Sequence, residues 1–190
     1  EGIVTTINAD RLVNVAPMGP IVDASMQSIV LRPFKTSTTY ANLKQNPFGV
    51  LHVTDDSLLF AKTAIGCLKQ LPKLLPATMV NGSVLADACR WYEFEVTDID
   101  DVDDRTTLTA NIVHDGRLRD FFGFNRAKHA VLEMAILATR LHILDCEDVV
   151  AQYKILQRAV DKTGGTDETR AAELLQSHLS EYMANTACAK

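Results

Sequence analysis

The feature of this sequence that most constrains its fold is a change of periodicity near Asn125. Before that residue, apolar and β-branched residues come in short runs between turn-forming residues, which is typical of strands. After it, apolar residues recur at helical spacing, and Asn125 is a suitable N-cap for a helix that reaches about His142. We therefore predict an α+β fold in which strands and helices are segregated along the chain.

The strand-rich part also contains two short predicted helices. Ser37 is a suitable N-cap for a helix over residues 38–45, and Asp55-Asp56 precedes a second helix over residues 57–68. We expect His114-Asp115-Gly116 to form a turn. The predicted strands are Ile3 to Asn8, Leu12 to Ala16, Ser28 to Arg32, Phe48 to Thr54, Cys89 to Thr97 and Thr106 to His114.

The last part of the chain predicts two further helices. The first runs from Glu147 to Lys162 and ends before Gly164-Gly165. The second runs from about Asp167 to Tyr182, and its apolar residues form one stripe. We expect these two helices to form a hairpin.

Charge and cysteine content exclude several classes of function. The net charge is −5 with no cluster of Lys and Arg, so neither nucleic acid nor a membrane is an expected partner. The four cysteines have neither zinc-ligand nor CxxC spacing, so no metal site is predicted, and reduced thiols indicate a cytoplasmic protein. No apolar segment approaches the ~20 residues of a membrane span, which predicts a soluble protein. The acidic run of residues 98–104 lacks the Gly and terminal Glu of an EF-hand loop, and we expect a charged turn there.

The first segment that could bind a ligand extends from Asn14 to Pro20. A strand that ends in Ala16-Pro17-x-Gly19 presents backbone groups that no neighbouring strand can fully pair. Gly19 would permit the close approach of a flat ligand. The alternative is an ordinary corner between a strand and a loop.

The second segment extends from Arg32 to Leu43, where one Arg, one Lys and four hydroxyl residues stand at or just before a helix start. The unpaired N–H groups and the dipole at a helix N-terminus favour an anion, and Arg adds a bidentate contact to phosphate. The alternative is that Ser37 only caps the helix while Arg32 and Lys35 are solvated. Capping would use a single hydroxyl, which favours the phosphate interpretation.

The third segment, Val53 to Asp56, lies at the end of a strand that enters a helix. Its carboxylates could receive the polar edges of a ligand. The alternative is that they cap the helix, which we expect for at least one of them.

These segments resemble a known family. Asn14-x-Ala16-Pro17, Thr39-Tyr40-x-Asn42-Leu43 and the strand Phe48 to Val53 come in the order seen in FMN-binding split barrels, such as flavin reductases and relatives of pyridoxamine phosphate oxidase. The finer pattern is similar to the DUF447 family over roughly residues 1–145. It is carried by Asn14 to Gly19, Arg32-Pro33-Phe34 with Ser37 to Leu43, Val53 to Asp56 with Phe60, and Gly123 to Glu133.

The resemblance implies a mainly antiparallel, six-stranded split β-barrel that forms a homodimer and holds FMN near the interface. Residues 1–145 would be the FMN-binding domain, and residues 146–190 a helical extension packed on the barrel or the dimer. His52 stands where a typical relative would have Asn. The residues implied to bind the cofactor are Asn14, Ala16, Pro17, Met18, Arg32, Ser37, Thr38, Thr39, Asn42, Thr54, Asp55, Asn125 and Arg126.

Within this set the resemblance assigns different parts of FMN to different residues. Thr39 and Ser37, with Arg32, would hold the phosphate. The segment from Asn14 to Met18 would line the edge of the isoalloxazine, partly through its backbone. Thr54-Asp55 would border the same pocket.

The helix that begins at Asn125 has two interpretations. Arg126, His129, Glu133 and Arg140 fall close to one face, which is typical of a salt-bridged, solvent-facing stripe. The resemblance instead implies that Asn125, Arg126 and His129 point toward the flavin.

The predicted function is that of an FMN-binding flavoprotein, a flavin-dependent oxidoreductase that acts on a small-molecule electron donor or acceptor. The alternative is a binding or carrier protein that holds flavin, deazaflavin or haem without turnover. A structural dimer without a ligand is a further alternative. No side chain is an obvious catalytic acid or base.

Overall fold

The computed structural model describes residues 1–187, which form two compact units. The first comprises residues 1–55 and 70–121, and the second comprises residues 56–69 with the chain from residue 122 onward. Within the described residues, the first unit contains all the strands and one helix, and the second contains four helices. The predicted α+β class is confirmed.

The first unit is built on one curled antiparallel sheet. The order of its strands is β2-β1-β5-β8-β9-β4-β3, and two further strands, β6 and β7, form a separate hairpin. The sheet has seven strands rather than the predicted six, because the chain pairs briefly with β4 after the break at Pro20. The strands are β1 (Gly2–Ile7), β2 (Val13–Met18), β3 (Ile21–Val22), β4 (Ser28–Leu31), β5 (Phe48–Val53), β6 (Leu74–Pro76), β7 (Ser83–Leu85), β8 (Arg90–Asp100) and β9 (Thr107–Arg117).

The turn predicted at His114-Asp115-Gly116 is wrong, because all three residues belong to β9. Gly116 lies opposite Trp91 on β8. A Cβ atom at Gly116 would stand 2.0 Å from the Trp91 ring, so glycine serves here to admit an indole rather than to turn the chain.

The central strand β5 is buried on both faces of the sheet. Adjacent residues Val50 and Leu51 on β5 contribute to different apolar clusters, as the alternation of side chains along a strand requires. The smaller cluster is formed by Val50, Val80 and Val84. The larger cluster is formed by Val4, Ile29, Leu31, Tyr40, Leu43, Leu51, Tyr92, Phe94, Val96, Leu108 and Ala110.

Helix α1 (Thr38–Gln45) has the predicted bounds. The Ser37 side chain accepts a hydrogen bond from the Tyr40 N–H at 3.2 Å, which confirms the predicted N-cap. Asn46 ends the helix in an extended conformation before Pro47. The helix therefore begins directly after Ser37, within the segment from Arg32 to Leu43 that the sequence indicated as a possible ligand site.

The second unit contains helices α2 (Ser57–Ala64), α3 (Arg126–Ala138), α4 (Cys146–Thr163) and α5 (Thr166–Ala187). Asp56 and Asn125 cap α2 and α3, as predicted. Both helices are four residues shorter than predicted, and α2 ends just before Gly66, whose φ is +66°. Cys188 lies outside the described residues.

A buried carboxylate joins three helices of this unit. Glu168 on α5 accepts hydrogen bonds from the Ser57 hydroxyl at 3.0 Å, the Lys128 ammonium at 3.0 Å and the Gly165 N–H at 2.8 Å. Burial alone would raise the pKa of Glu168, but these bonds hold it below its ordinary value. Helix α3, which we assigned to the first domain, groups with α4 and α5. The packing of residues 146–190 on the barrel or the dimer stays a prediction.

Candidate functional site

The start of β2 meets the first turn of α1 through a buried polar network. Asn14 on β2 lies opposite Thr6 on β1. The Asn14 Nδ2 donates to Oγ1 of Thr39 at 3.1 Å and to Oγ1 of Thr6 at 3.5 Å. The Asn42 Nδ2 donates to the same Thr6 oxygen at 2.9 Å. The structure therefore brings together three predicted site residues and adds Thr6, which the sequence pattern did not distinguish.

The three side chains predicted to hold the phosphate, and Thr38 beside them, differ in what they present. Arg32 and Thr38 are exposed, and Thr38 is the first residue of α1. Ser37 is half-buried and its Oγ is the helix cap. Thr39 is buried and its hydroxyl contacts Asn14. Ser37 and Thr38 therefore form the start of the helix, and Arg32 precedes it in the chain with an exposed side chain.

The connection between β8 and β9 fixes the backbone that leads into α1. The Thr106 N–H and hydroxyl both donate to the Pro33 carbonyl, at 3.0 and 2.8 Å. The Lys35 N–H donates to the Asp104 carbonyl at 2.9 Å, and the Arg105 Nε donates to the Arg32 carbonyl at 3.4 Å. Arg32 thus stands on a tethered segment although its own side chain is exposed.

The acidic run of residues 98–104 has a structural part in this arrangement. The Asp101 carboxylate accepts hydrogen bonds from the Lys44 ammonium at 2.8 Å and the Tyr40 hydroxyl at 2.6 Å. The hydrogen bond from Lys44, followed by that from Tyr40, lowers the pKa of Asp101 to about 2. Asp101 therefore ties the turn to α1.

Ala16, Pro17 and Met18 are half-buried on β2, an edge strand of the sheet. An edge is where a strand tolerates proline, which has no N–H to donate. The Met18 side chain packs against the larger apolar cluster. A Cβ atom at Gly19 would stand 2.7 Å from the Glu1 carboxylate, so Glu1 lies where the sequence led us to expect a flat ligand.

At the end of β5, Thr54 and Asp55 are half-buried. The Asp55 Oδ1 accepts a hydrogen bond from the guanidinium of Arg119 and contacts the Cys89 sulfur at 3.8 Å. Burial, followed by the charge of Asp55, raises the pKa of the Cys89 thiol. Asp55 is thus one half of an ion pair, whereas Asp56 caps α2. No sequence signal linked Asp55 to Arg119, because 64 positions separate them.

His52 faces backbone rather than a ligand. Its side chain is fully buried, the ring Nδ1 donates to the Ile3 carbonyl at 3.0 Å, and Nε2 accepts from the Leu85 N–H at 3.0 Å. Because the backbone N–H of Leu85 can only donate, its bond to Nε2 selects the neutral tautomer of His52 that carries the proton on Nδ1. Burial lowers the pKa of His52 to about 4, which the bond to Ile3 opposes.

Sequence reasoning missed a second buried polar group, Glu93 on β8. Its carboxylate accepts hydrogen bonds from the N–H groups of Thr78 at 2.7 Å, Met79 at 2.6 Å and Val80 at 3.0 Å, and from the Trp91 Nε1 at 3.2 Å. Burial would raise the pKa of Glu93, but these bonds keep it below its ordinary value. The partners lie in a loop 13 to 15 residues away, so no local pattern revealed them.

Asn125 and Arg126 lie in the helical unit at the start of α3. The Asn125 side chain accepts from the Ala127 N–H at 2.8 Å and the Lys128 N–H at 3.2 Å, and it donates to the Thr163 carbonyl at 3.3 Å. Arg126 is exposed. Asn125 therefore caps α3, and the role of both residues at a cofactor stays a prediction.

His129 is also exposed, and its ring meets the edge of Phe124 at a centroid distance of 5.8 Å. This contact lies within the helical unit. It gives His129 an aromatic neighbour and does not decide between the two interpretations of this helix face.

Two family descriptions match most of the chain. Residues 1–119 match the N-terminal domain of the protein of unknown function DUF447, and residues 125–177 match the following DUF447 domain. The chain belongs to the DUF447 family. No curated protein matches it significantly.

Solved structures share the fold. The FMN-bound DUF447 protein MM1853 from Methanosarcina mazei is 22% identical, with a TM-score of 0.78 over 94% of this chain and 93% of that one. The 2-nitrobenzoate 2-nitroreductase NbaA of Pseudomonas fluorescens is 18% identical, with a TM-score of 0.51 over 61% of this chain and 63% of that one. The styrene monooxygenase flavin reductase of Pseudomonas putida S12 is 14% identical, with a TM-score of 0.52 over 62% and 80%. These similarities identify the split-barrel fold.

Two other classes of site are absent from the described residues. Within residues 1–187, no helix combines the length and the apolarity needed to cross a membrane. The same part of the chain contains no group of three or more His, Cys, Asp or Glu side chains arranged to hold a metal ion.

Proposed function

We propose that this chain is an FMN-binding flavoprotein that acts as an oxidoreductase on a small molecule. The observation that carries the proposal is the 3.1 Å contact between Asn14 and Thr39. It joins the edge strand to the first turn of α1, so a helix N-terminus suited to an anion and the half-buried strand that carries Asn14 lie side by side. FMN offers the matching pair of groups, a phosphate and a flat polar ring.

The open end of α1 fits the phosphate. A helix N-terminus presents N–H donors and a positive dipole end to an anion. Arg32 would add a charge-assisted contact, and the Thr38 hydroxyl would add a neutral one. Ser37, whose oxygen caps the helix, keeps its own O–H as a donor.

The isoalloxazine would lie along the edge strand. Asn14 would contact the ring through its side chain, and Ala16, Pro17 and Met18 partly through backbone. Thr54 and Asp55 would border the same pocket. The parts of Asn125 and Arg126 rest on the family resemblance alone.

The relatives support the binding of a flavin but do not identify a reaction. The Methanosarcina protein is FMN-bound, and the Pseudomonas putida protein is a flavin reductase. When bound, FMN would supply hydride transfer between a reduced nicotinamide or deazaflavin and a small acceptor. The protein's own residues would bind the phosphate, orient the ring and tune it through hydrogen bonds.

A non-catalytic carrier of flavin, deazaflavin or haem is the second candidate, and the buried ionisable groups favour it. Both nitrogens of His52 and both oxygens of Glu93 are engaged by backbone or Trp91. Neither group is therefore available to transfer a proton to a substrate. Reduction of a bound flavin by a nicotinamide needs no such group, so the observation counts only against reactions that require a proton from the protein.

Titration with FMN, followed by flavin fluorescence, tests the proposal. We expect a saturable site, and Arg32→Ala should weaken the binding of FMN by about tenfold to a hundredfold, as loss of a charged hydrogen bond does. Arg170→Ala, which removes an exposed Arg on α5, is the matched control and should bind as the unaltered chain does. Equal effects of the two substitutions would refute the phosphate site.

Anaerobic addition of NADH, NADPH or a reduced deazaflavin to the FMN complex separates the two candidates. Loss of the oxidised flavin absorbance with one of these donors supports the oxidoreductase. No loss with any of them rejects it and leaves the carrier.

A further inference from the structure

We propose that Thr39 and Thr6 are positioning residues, which hold the Asn14 side chain so that its oxygen accepts a hydrogen bond from an N–H of the flavin ring. This inference rests on the proposed function. It gives Thr39 a different role, because the family resemblance assigned the Thr39 hydroxyl to the phosphate.

The first step is the count of donors on Asn14. A side-chain amide has two N–H donors and one carbonyl oxygen. Nδ2 is directed at two hydroxyl oxygens, those of Thr39 and Thr6. Within residues 1–187, no hydrogen bond of the structure uses the Asn14 Oδ1. The group that the amide leaves for a ligand is therefore its acceptor, while Nδ2 is engaged by Thr39 at 3.1 Å and by Thr6 at 3.5 Å.

The second step is exposure. A side chain that binds a ligand must present surface to it. Thr39 is 3% exposed, Thr6 is 1% exposed and Asn42 is 4% exposed, whereas Asn14 is half-buried. Asn14 is thus the only one of these four side chains with exposed surface that a ligand could contact. The other three are buried and hold it in position.

The third step is chemical complementarity. Phosphate oxygens accept hydrogen bonds, so a group that offers only an acceptor does not bind them. The isoalloxazine carries an N–H at N3, and a second ring N–H at N5 when it is reduced. This complementarity excludes the phosphate as the partner of Asn14, and the ring, which the strand of Asn14 is proposed to line, carries matching N–H groups.

Asn42 completes the support. Its Nδ2 donates to Thr6 Oγ1 at 2.9 Å, which is shorter than the 3.5 Å contact from Asn14 to the same oxygen. Because Asn42 on α1 donates to it, the Thr6 oxygen on β1 acts as an acceptor that links the strand to the helix. The orientation of Asn14 is therefore set by two hydroxyls that are themselves held in place.

The test compares FMN with riboflavin, which has the same ring and no phosphate. Thr39→Val removes the hydroxyl with little change of shape. We expect it to weaken the binding of both ligands equally, by about threefold to tenfold, since one neutral hydrogen bond is lost. Thr39→Ser should restore binding, and Arg32→Ala should weaken FMN alone.

A double substitution checks the route through Asn14. Asn14→Ala should weaken both ligands, and Thr39→Val added to it should cause no further loss, because Thr39 then has no side chain to orient. If Thr39→Val does not fold, as judged by circular dichroism, Asn14→Ala alone still compares FMN with riboflavin and must affect them equally.

Loss of FMN binding with riboflavin binding unchanged, in Thr39→Val or in Asn14→Ala, would overturn the inference and leave the proposed function intact. Additive losses in the double variant would also overturn it. If the unaltered chain binds neither ligand, the proposed function itself fails and the inference fails with it.

Discussion

The Nε2 of His52 on β5 accepts a hydrogen bond from the backbone N–H of Leu85 on β7 at 3.0 Å. This bond requires a neutral ring, and burial lowers the pKa of His52 to about 4, below the ordinary 6.5. The unfolded chain therefore binds a proton on His52 at a higher pH than the folded chain does. The hairpin β6–β7 is thus joined to the sheet by a bond that acid breaks.

Stability should fall as the pH drops from about 6.5 to about 4, since only the unfolded state gains the proton in that window. The shift corresponds to about 3 kcal/mol. Denaturant unfolding at pH 7 and at pH 5 measures the loss, and His52→Gln should reduce the difference between the two. An identical pH dependence in that variant would contradict this assignment.

Glu93→Gln should destabilise the first unit strongly. The substitution turns an amide N–H₂ toward the N–H groups that the carboxylate now accepts from, and we expect a loss of about 3 kcal/mol. Glu95→Gln, at an exposed position of the same strand, is the matched control and should change the free energy of unfolding by less than about 0.5 kcal/mol. Similar values for the two variants in urea unfolding would show that the buried carboxylate is not needed.

Gly116→Ala should destabilise the long β8–β9 pair, because the new Cβ would overlap the Trp91 ring. Overpacking of this kind costs about 1–3 kcal/mol. Trp91→Ala removes the obstacle, so the double variant should lose less than the sum of the two single losses. Thermal unfolding of all four proteins checks this, and strict additivity would disprove the contact.

The homodimer stays a prediction from the family resemblance. Light scattering coupled to size-exclusion chromatography at micromolar concentration should give twice the mass of the chain. A monomeric mass, unchanged by saturating FMN, would reject a site that is completed by a second copy.

How much the sequence revealed depended on the distance between partners. Ser37, Asp56 and Asn125 were recognised as caps because a cap bonds to a residue two or three positions away. The end of α2 was misplaced although Gly66 was visible, because the apolar pattern continued past it. Interactions between residues close in the sequence can be predicted. The main errors arise where a residue distant in the sequence determines the local structure.

His114-Asp115-Gly116 is such a failure. The three residues have turn propensity, yet the Trp91 ring on the neighbouring strand requires Gly116 within β9. The partners of Glu93 and Asp55 were equally hidden, because nothing in a local pattern names a residue on another strand or loop. The family pattern distinguished both Thr39 and Asn14, whereas the hydrogen bond between them became visible only with the fold.

The most direct test of the central claim is the visible absorbance spectrum of the concentrated protein after incubation with FMN and desalting. We predict that the bands of oxidised flavin survive desalting in the unaltered chain and are lost in the Arg32→Ala, Thr39→Ala variant, because the variant weakens the contacts to both ends of FMN. A spectrum without flavin bands in the unaltered chain would contradict the account.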